Sequence, residues 1–119
     1  MKVKNAEIKN HRAISWNKIY SQGHWTERSS LAQEIHSLIK AEIPWKEREI
    51  LGRRVDITIR AYFKGKGRRD SDNIASKLYI DGLKDIFLED DDSRFVRRVT
   101  TEAIVGAVSD AILITLREI

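Results

Sequence analysis

Asp70 and Asp72 stand two residues apart, between a run of cations (Lys64, Lys66, Arg68 and Arg69) and a helical pattern that begins near Asn73. In extended backbone, side chains at i and i+2 point the same way, so both carboxylates can face one point. Two carboxylates held that close repel each other and call in a cation. Oxygen-only donors suit Mg2+ or Mn2+ and do not suit zinc. Further along, Asp90, Asp91 and Asp92 can close such a site from its other side. Lys77, about one and a half turns into the helix, can reach a phosphate oxygen or the charge developing on a leaving oxygen.

From Asp70 to Asp92 there are eight acidic residues and two basic ones, a net of −6 in a chain whose net charge is +4, so the remainder carries +10. An acidic knot in a basic body is what a metal-dependent enzyme acting on a polyanion needs. The body attracts phosphate, and divalent ions held by the knot let phosphate approach carboxylates. The plainer reading of such a run is a solvated acidic helix and loop; the spacing of Asp70, Asp72, Lys77 and Asp91 favours the chemical one. An EF-hand loop opening at Asp70 fails at Ile74, at Ala75 where glycine is required, and at Asp81 where glutamate is required. No Walker loop occurs, so no nucleotide cofactor is expected. His11, His24 and His36 are scattered, without the spacing of metal ligands.

The elements that must hold these residues belong to one domain, residues 1–119. With 41% hydrophobic and 34% charged residues the chain has the balance of a soluble globular protein. A pI near 9.5 points to an acidic partner, nucleic acid foremost. The absence of cysteine excludes disulfides, zinc–thiolate centres and thiol nucleophiles. No apolar leader and no membrane-length apolar run is present, which predicts a cytoplasmic protein without a membrane partner.

Lys2–Ile8 reads as a short strand, and His11–Glu27, polar and aromatic, as a long surface loop. Ser30-Leu31-Ala32-Gln33 fits a capping box that opens a helix. Its apolar stripe is Leu31, Ile35, Leu38 and Ile39, and it stops at Ile43 before Pro44. Val55–Phe63 alternates strictly, the mark of a strand with one buried face. After the flexible loop of Gly65 and Gly67 comes a second helix, from about Asn73 through Leu83, capped by Asp72 or Ser71 and loosened at Gly82. Phe95–Thr101 and Ala111–Leu116 are strands joined by a turn over Gly106–Asp110. The last one shows no clean alternation, which predicts a central strand covered on both faces. The expected fold is α+β: a small mixed sheet of about four strands with two helices.

Arg69-Asp70-Ser71-Asp72-Asn73, Lys77, Asp81-Gly82-Leu83 and Asp90-Asp91, taken in order, resemble the RusA family of Holliday junction resolvases. The match spans Arg68–Val96; outside it, Ser15-x-Asn17-x-x-Tyr20 resembles the Asn/Tyr-bearing loop near that family's N-terminus. The resemblance implies a RusA-like fold and a homodimeric, Mg2+-dependent endonuclease (Mn2+ able to substitute). Such an enzyme nicks a four-way DNA junction symmetrically in recombination and repair, and is commonly carried by phages and prophages. It implies that Asp70, Asp72 and Asp91, with Asp90, hold metal, that Lys77 is the catalytic lysine, and that Arg68 and Arg69 contact DNA. Lys64, Lys66, Asn73 and Asn17 join them as expected DNA contacts. The interval from Asn73 to Lys77 is one residue longer than in the usual pattern. The run of three aspartates leaves two registers: Asp90 and Asp91, or Asp91 and Asp92. The alternatives to a junction resolvase are a non-catalytic DNA-junction-binding module and a small metal-dependent phosphohydrolase.

Overall fold

Alternation in Val55–Phe63 (β2) sends Val55, Ile57, Ile59, Ala61 and Phe63 into the core and leaves Asp56, Thr58, Arg60 and Tyr62 half-exposed. Each buried isoleucine contributes about 1.5–3 kcal/mol. The computed structural model describes residues 1–21 and 25–119; Gly23 and His24, part of the expected loop, lie outside the described residues.

Val3–Lys9 (β1), β2, Val96–Val105 (β3) and Ala111–Glu118 (β4) form one sheet in the order β1-β4-β2-β3. β4 runs antiparallel to both β1 and β2, while β2 and β3 are parallel. The sheet is mixed and four-stranded, as expected. The turn over Gly106–Asp110 does not make a hairpin, because β2 lies between β3 and β4. Gly106 adopts φ 71°, a left-handed conformation suited to glycine. Central placement of β4 is as expected, but the expectation that both its faces are covered is not met. Ile112, Ile114 and Leu116 are fully buried, whereas Ala111, Leu113 and Thr115 are half-exposed. Period two was present in this strand, obscured by the apolar Ala111 and Leu113 on its open face.

Helices supply the other layer. Trp25–Glu42 (α2) buries Ile35 and Ile39 against the core, with Leu31 and Leu38 packed at the edge. It begins five residues ahead of Ser30, so the expected capping box is an interior turn of this helix. Its end is as expected: Ile43 N–H still bonds Ile39 O, and Arg48 caps the last turn by donating to Ile43 O and Lys40 O. The stretch His11–Glu27 is not a plain loop, since Trp16–Ser21 (α1) is helical. Ser15 Oγ accepts from Lys18 N–H at 3.0 Å, Ile19 is buried, and Trp16 stacks on Tyr20 one turn on. No helix among the described residues is long and apolar enough to cross a membrane.

The second main helix is shorter than expected. Ser71–Asn73 forms a 3-10 turn, Ile74 is extended, Ala75 is neither extended nor helical, and only Ser76–Asp81 (α3) is α-helical. Pairing decides this: Ala75 N–H donates to Ile14 O at 2.8 Å, and Ser15 bridges Ile74. Neither Asp72 nor Ser71 caps α3; Ala75 precedes it without a side-chain cap, and Ser71 Oγ instead accepts from Ala103 N–H. Gly82 ends α3 for a packing reason. A Cβ there would lie 2.7 Å from Ile39 Cδ1 and 3.3 Å from Ile35 Cγ2, so the glycine lets α3 dock on α2. Gly82→Ala is expected to destabilise the fold by about 1–3 kcal/mol through overpacking, measured by urea unfolding.

Candidate active site

The crossover from β2 to β3 carries almost every residue singled out in the sequence, and the structure sorts them into two groups. The first gathers around Asp91. Lys77, the second residue of α3 and not one and a half turns into a longer helix, sends Nζ to 3.1 Å from Asp91 Oδ2 and 3.5 Å from Asp81 Oδ1. Lys84 Nζ stands 3.5 Å from Asp81, 3.4 Å from Asp90 and 3.4 Å from Asp91. Asp90 Oδ1 accepts the Asp91 N–H at 2.8 Å. Asp92 turns away and accepts from the Arg94 guanidinium at 2.7 and 3.0 Å. The pair facing the lysines is therefore Asp90 and Asp91.

Burial pushes Asp91 up, but hydrogen bonds that its carboxylate accepts from Lys77 and shares with Asp81 and Asp90, with the Lys77 charge, outweigh it and hold the carboxyl well below its ordinary range. Asp81 goes the other way. Burial and the facing Asp91 carboxylate raise it, against the pull of Lys77 and Lys84. Lys77 is raised, first by its hydrogen bond to Asp91, and so stays an ammonium. In Lys84 burial lowers the pKa, but the charges of Asp81 and Asp91 more than offset it. Asp81 and Lys84 had been given no chemical role from sequence. Their signal was helical spacing, since Lys77, Asp81 and Lys84 recur at i, i+4 and i+7.

The second group surrounds Asp70. That residue is extended (φ −93°, ψ 125°), but the turn that follows, closed by Asn73 N–H to Asp70 O, breaks the two-residue alternation. Asp70 and Asp72 are therefore not successive same-side positions of one extended segment. Asp70 lines a cavity of about 350 Å³ with Arg69 and Asn73, whereas Asp72 is exposed and outside that lining. The opposite wall is the N-terminal segment, through Arg12, Ser15 and Lys18. Asn17 N–H donates to Asn73 Oδ1 at 3.3 Å, so the Ser15–Tyr20 stretch is brought to the Asp70–Asn73 motif. Lys64, Lys66 and Arg68 are exposed on the loop beyond. That loop is tied down at its base, with Lys64 N–H on Asp110 Oδ1 and Gly106 N–H on Gly65 O.

Tyr79 anchors the N-terminal wall. Fully buried on α3, its hydroxyl accepts from Ile14 N–H at 2.9 Å and shares a hydrogen bond with His11 Nε2 at 2.7 Å. Burial raises the Tyr79 hydroxyl, which keeps its proton. Burial, with Lys18 adding to it and Glu34 opposing, lowers His11, so the imidazole is held neutral. A depressed pKa means the unfolded chain takes up the proton first. The stability held by neutral His11 is thus present above about pH 6.5 and is lost as pH falls through the lowered folded value. The urea midpoint is expected to fall over that window in the native chain, and to fall less in His11→Leu.

Carboxylate oxygens are the donors that Mg2+ takes. Among the described residues, however, no three carboxylate or imidazole side chains stand close enough to hold one metal ion. Asp81, Asp90 and Asp91 are instead neutralised by two ammonium groups, and Asp70 and Asp72 do not join them in such a group. No model of a known protein family matches the chain, and no curated protein matches it in sequence.

Proposed function

We propose that the protein is a Mg2+-dependent endodeoxyribonuclease that resolves four-way DNA junctions by paired nicks, in recombination or repair. In this reading it works in the cytoplasm as a homodimer whose two-fold axis matches that of the junction. The observation that carries the reading is that one crossover presents both the lysine-bridged Asp81, Asp90 and Asp91 cluster and the cation-rimmed cavity of Asp70. This happens on a body with an excess of +10 outside the segment Asp70–Asp92. The exposed Lys64, Lys66, Arg68 and Arg69 bind the phosphate backbone, and Asn17 and Asn73 fix its register. Lys77, charged and at the edge of the carboxylates, offsets charge that develops on a phosphate or leaving oxygen. Hard oxygen donors make Mg2+ the metal of this reading, with Mn2+ able to replace it.

A second reading, a DNA-junction-binding module without catalysis, is favoured by one observation: the lysines already neutralise the carboxylates that converge. Incubating the protein with a labelled synthetic four-way junction and a matched linear duplex, in Mg2+ or in EDTA, separates the two. Symmetric nicks in the junction alone, abolished by EDTA, are the expected result. Junction binding without a nick in either Mg2+ or Mn2+ establishes the module. On both readings the affinity falls steeply with salt, log K dropping by about 0.9 per neutralised phosphate for each unit of log salt concentration. Affinity that ignored ionic strength would remove DNA as the partner.

A further inference from the structure

The cavity beside Asp70 has a composition that phosphate contact alone does not explain. Its inner wall is apolar, formed by Ala13, Ile14, Phe63 and Ile74. Its rim carries three cations, Arg12, Lys18 and Arg69, against the single carboxylate of Asp70. At about 350 Å³ it lies at the small end of ligand sites, which run from roughly 300 to 1,000 Å³. That size is too small for a length of duplex. Arg69 lays its guanidinium 5.0 Å from the centre of the Phe63 ring, a flat surface of the kind on which an unstacked base settles. Two polar groups of the lining keep donors that no described residue takes up. Asn73 accepts the Asn17 N–H through Oδ1, which leaves its amide N–H groups. Ser15 Oγ accepts the Lys18 N–H, which leaves its O–H.

We infer that this cavity takes one unpaired nucleotide of the DNA, the base against the apolar wall and the Arg69 plane, the phosphate on the Arg12 side of the rim. The inference rests on the reading of the protein as a DNA-junction enzyme and adds to it a subsite for a base released from pairing. An apolar wall rewards a base that has left its stack, and paired DNA cannot offer one without unstacking. Discrimination between branched and continuous duplex then comes from this pocket, and not only from the charge of the surrounding loop.

Fluorescence anisotropy in EDTA, which prevents cleavage, tests it with three labelled duplexes of equal length. One is fully paired, one carries a single-thymine bulge, and one carries the same bulge with an abasic residue. The thymine bulge is expected to bind about tenfold tighter than the abasic one, the scale of one stacked base. Ala13→Phe, which fills the cavity from a half-exposed position, is expected to equalise the two. Equal affinity of the native protein for thymine and abasic bulges overturns the pocket whatever the variant does, and leaves the DNA-binding reading standing. A thymine preference that survives in folded Ala13→Phe also overturns it. Failure to bind any of the three overturns both readings together.

Discussion

Asp91→Asn is expected to reduce metal-dependent nicking of a four-way junction by at least about 10²-fold, the scale for losing one electrostatic group at a reacting centre. Asp91 is where Lys77 and Lys84 meet, and its carboxyl is the one held most firmly in its charged form. Asparagine keeps the volume and removes the charge. Folding is expected to survive, because ion pairs this exposed contribute about 0–1 kcal/mol each. Junction affinity is expected to hold or to rise, since one negative charge has left the face that meets phosphate in the proposed reading. Steady-state nicking, gel-shift affinity and thermal unfolding, measured on the same preparation, decide the matter. Cleavage lost with binding and melting temperature intact assigns Asp91 to the chemistry. Loss of all three together makes it a structural carboxylate.

Tyr79→Ala is expected to cost about 3–5 kcal/mol in urea unfolding, the range for removing a buried aromatic side chain. That is a large share of the roughly 5–15 kcal/mol that holds a domain folded. Tyr79→Phe separates the contributions. It keeps the ring and the fill of the core, but leaves the buried Ile14 N–H without its acceptor and His11 without its hydroxyl partner. Its expected cost is about 1–3 kcal/mol. Because Ile14 and its neighbours form one wall of the Asp70 cavity, Tyr79→Phe is also expected to weaken junction binding more than its stability loss implies. A Phe variant as stable as the native chain would show that water replaces the tyrosine hydroxyl.

β2 was legible because its two faces differ in kind, apolar inward and charged or hydroxylated outward. β4 was legible as a central strand, but Leu113 and Ala111 concealed which face is open. The apolar stripe of α2 could be read, whereas its true start could not, since nothing in Trp25–Ser29 competes with the capping signal at Ser30. α1 was missed because a six-residue helix leans on tertiary contacts, here the burial of Ile19 and the Trp16–Tyr20 stack. The break before α3 comes from the pairing of Ile74 and Ala75 with Ile14 and Ser15, a long-range contact that local spacing cannot reveal. The same holds for the candidate site. Lys77 with Asp91 followed from the motif, but Arg12 as a wall of the Asp70 cavity had no signal in its own neighbourhood.

The two groups of the site also differ in how far apart their residues lie along the chain. The carboxylate and lysine cluster is local, drawn entirely from Lys77–Asp91, and its contacts close over short loops. The Asp70 cavity joins Arg12–Lys18 to Phe63–Ile74, and it needs α3 and the sheet in place before Tyr79 can fix its wall. Loop-closure entropy makes such distant contacts form last. The acidic cluster can therefore close without the cavity that, on the proposed reading, receives DNA. On that reading, cutting waits for completion of the fold.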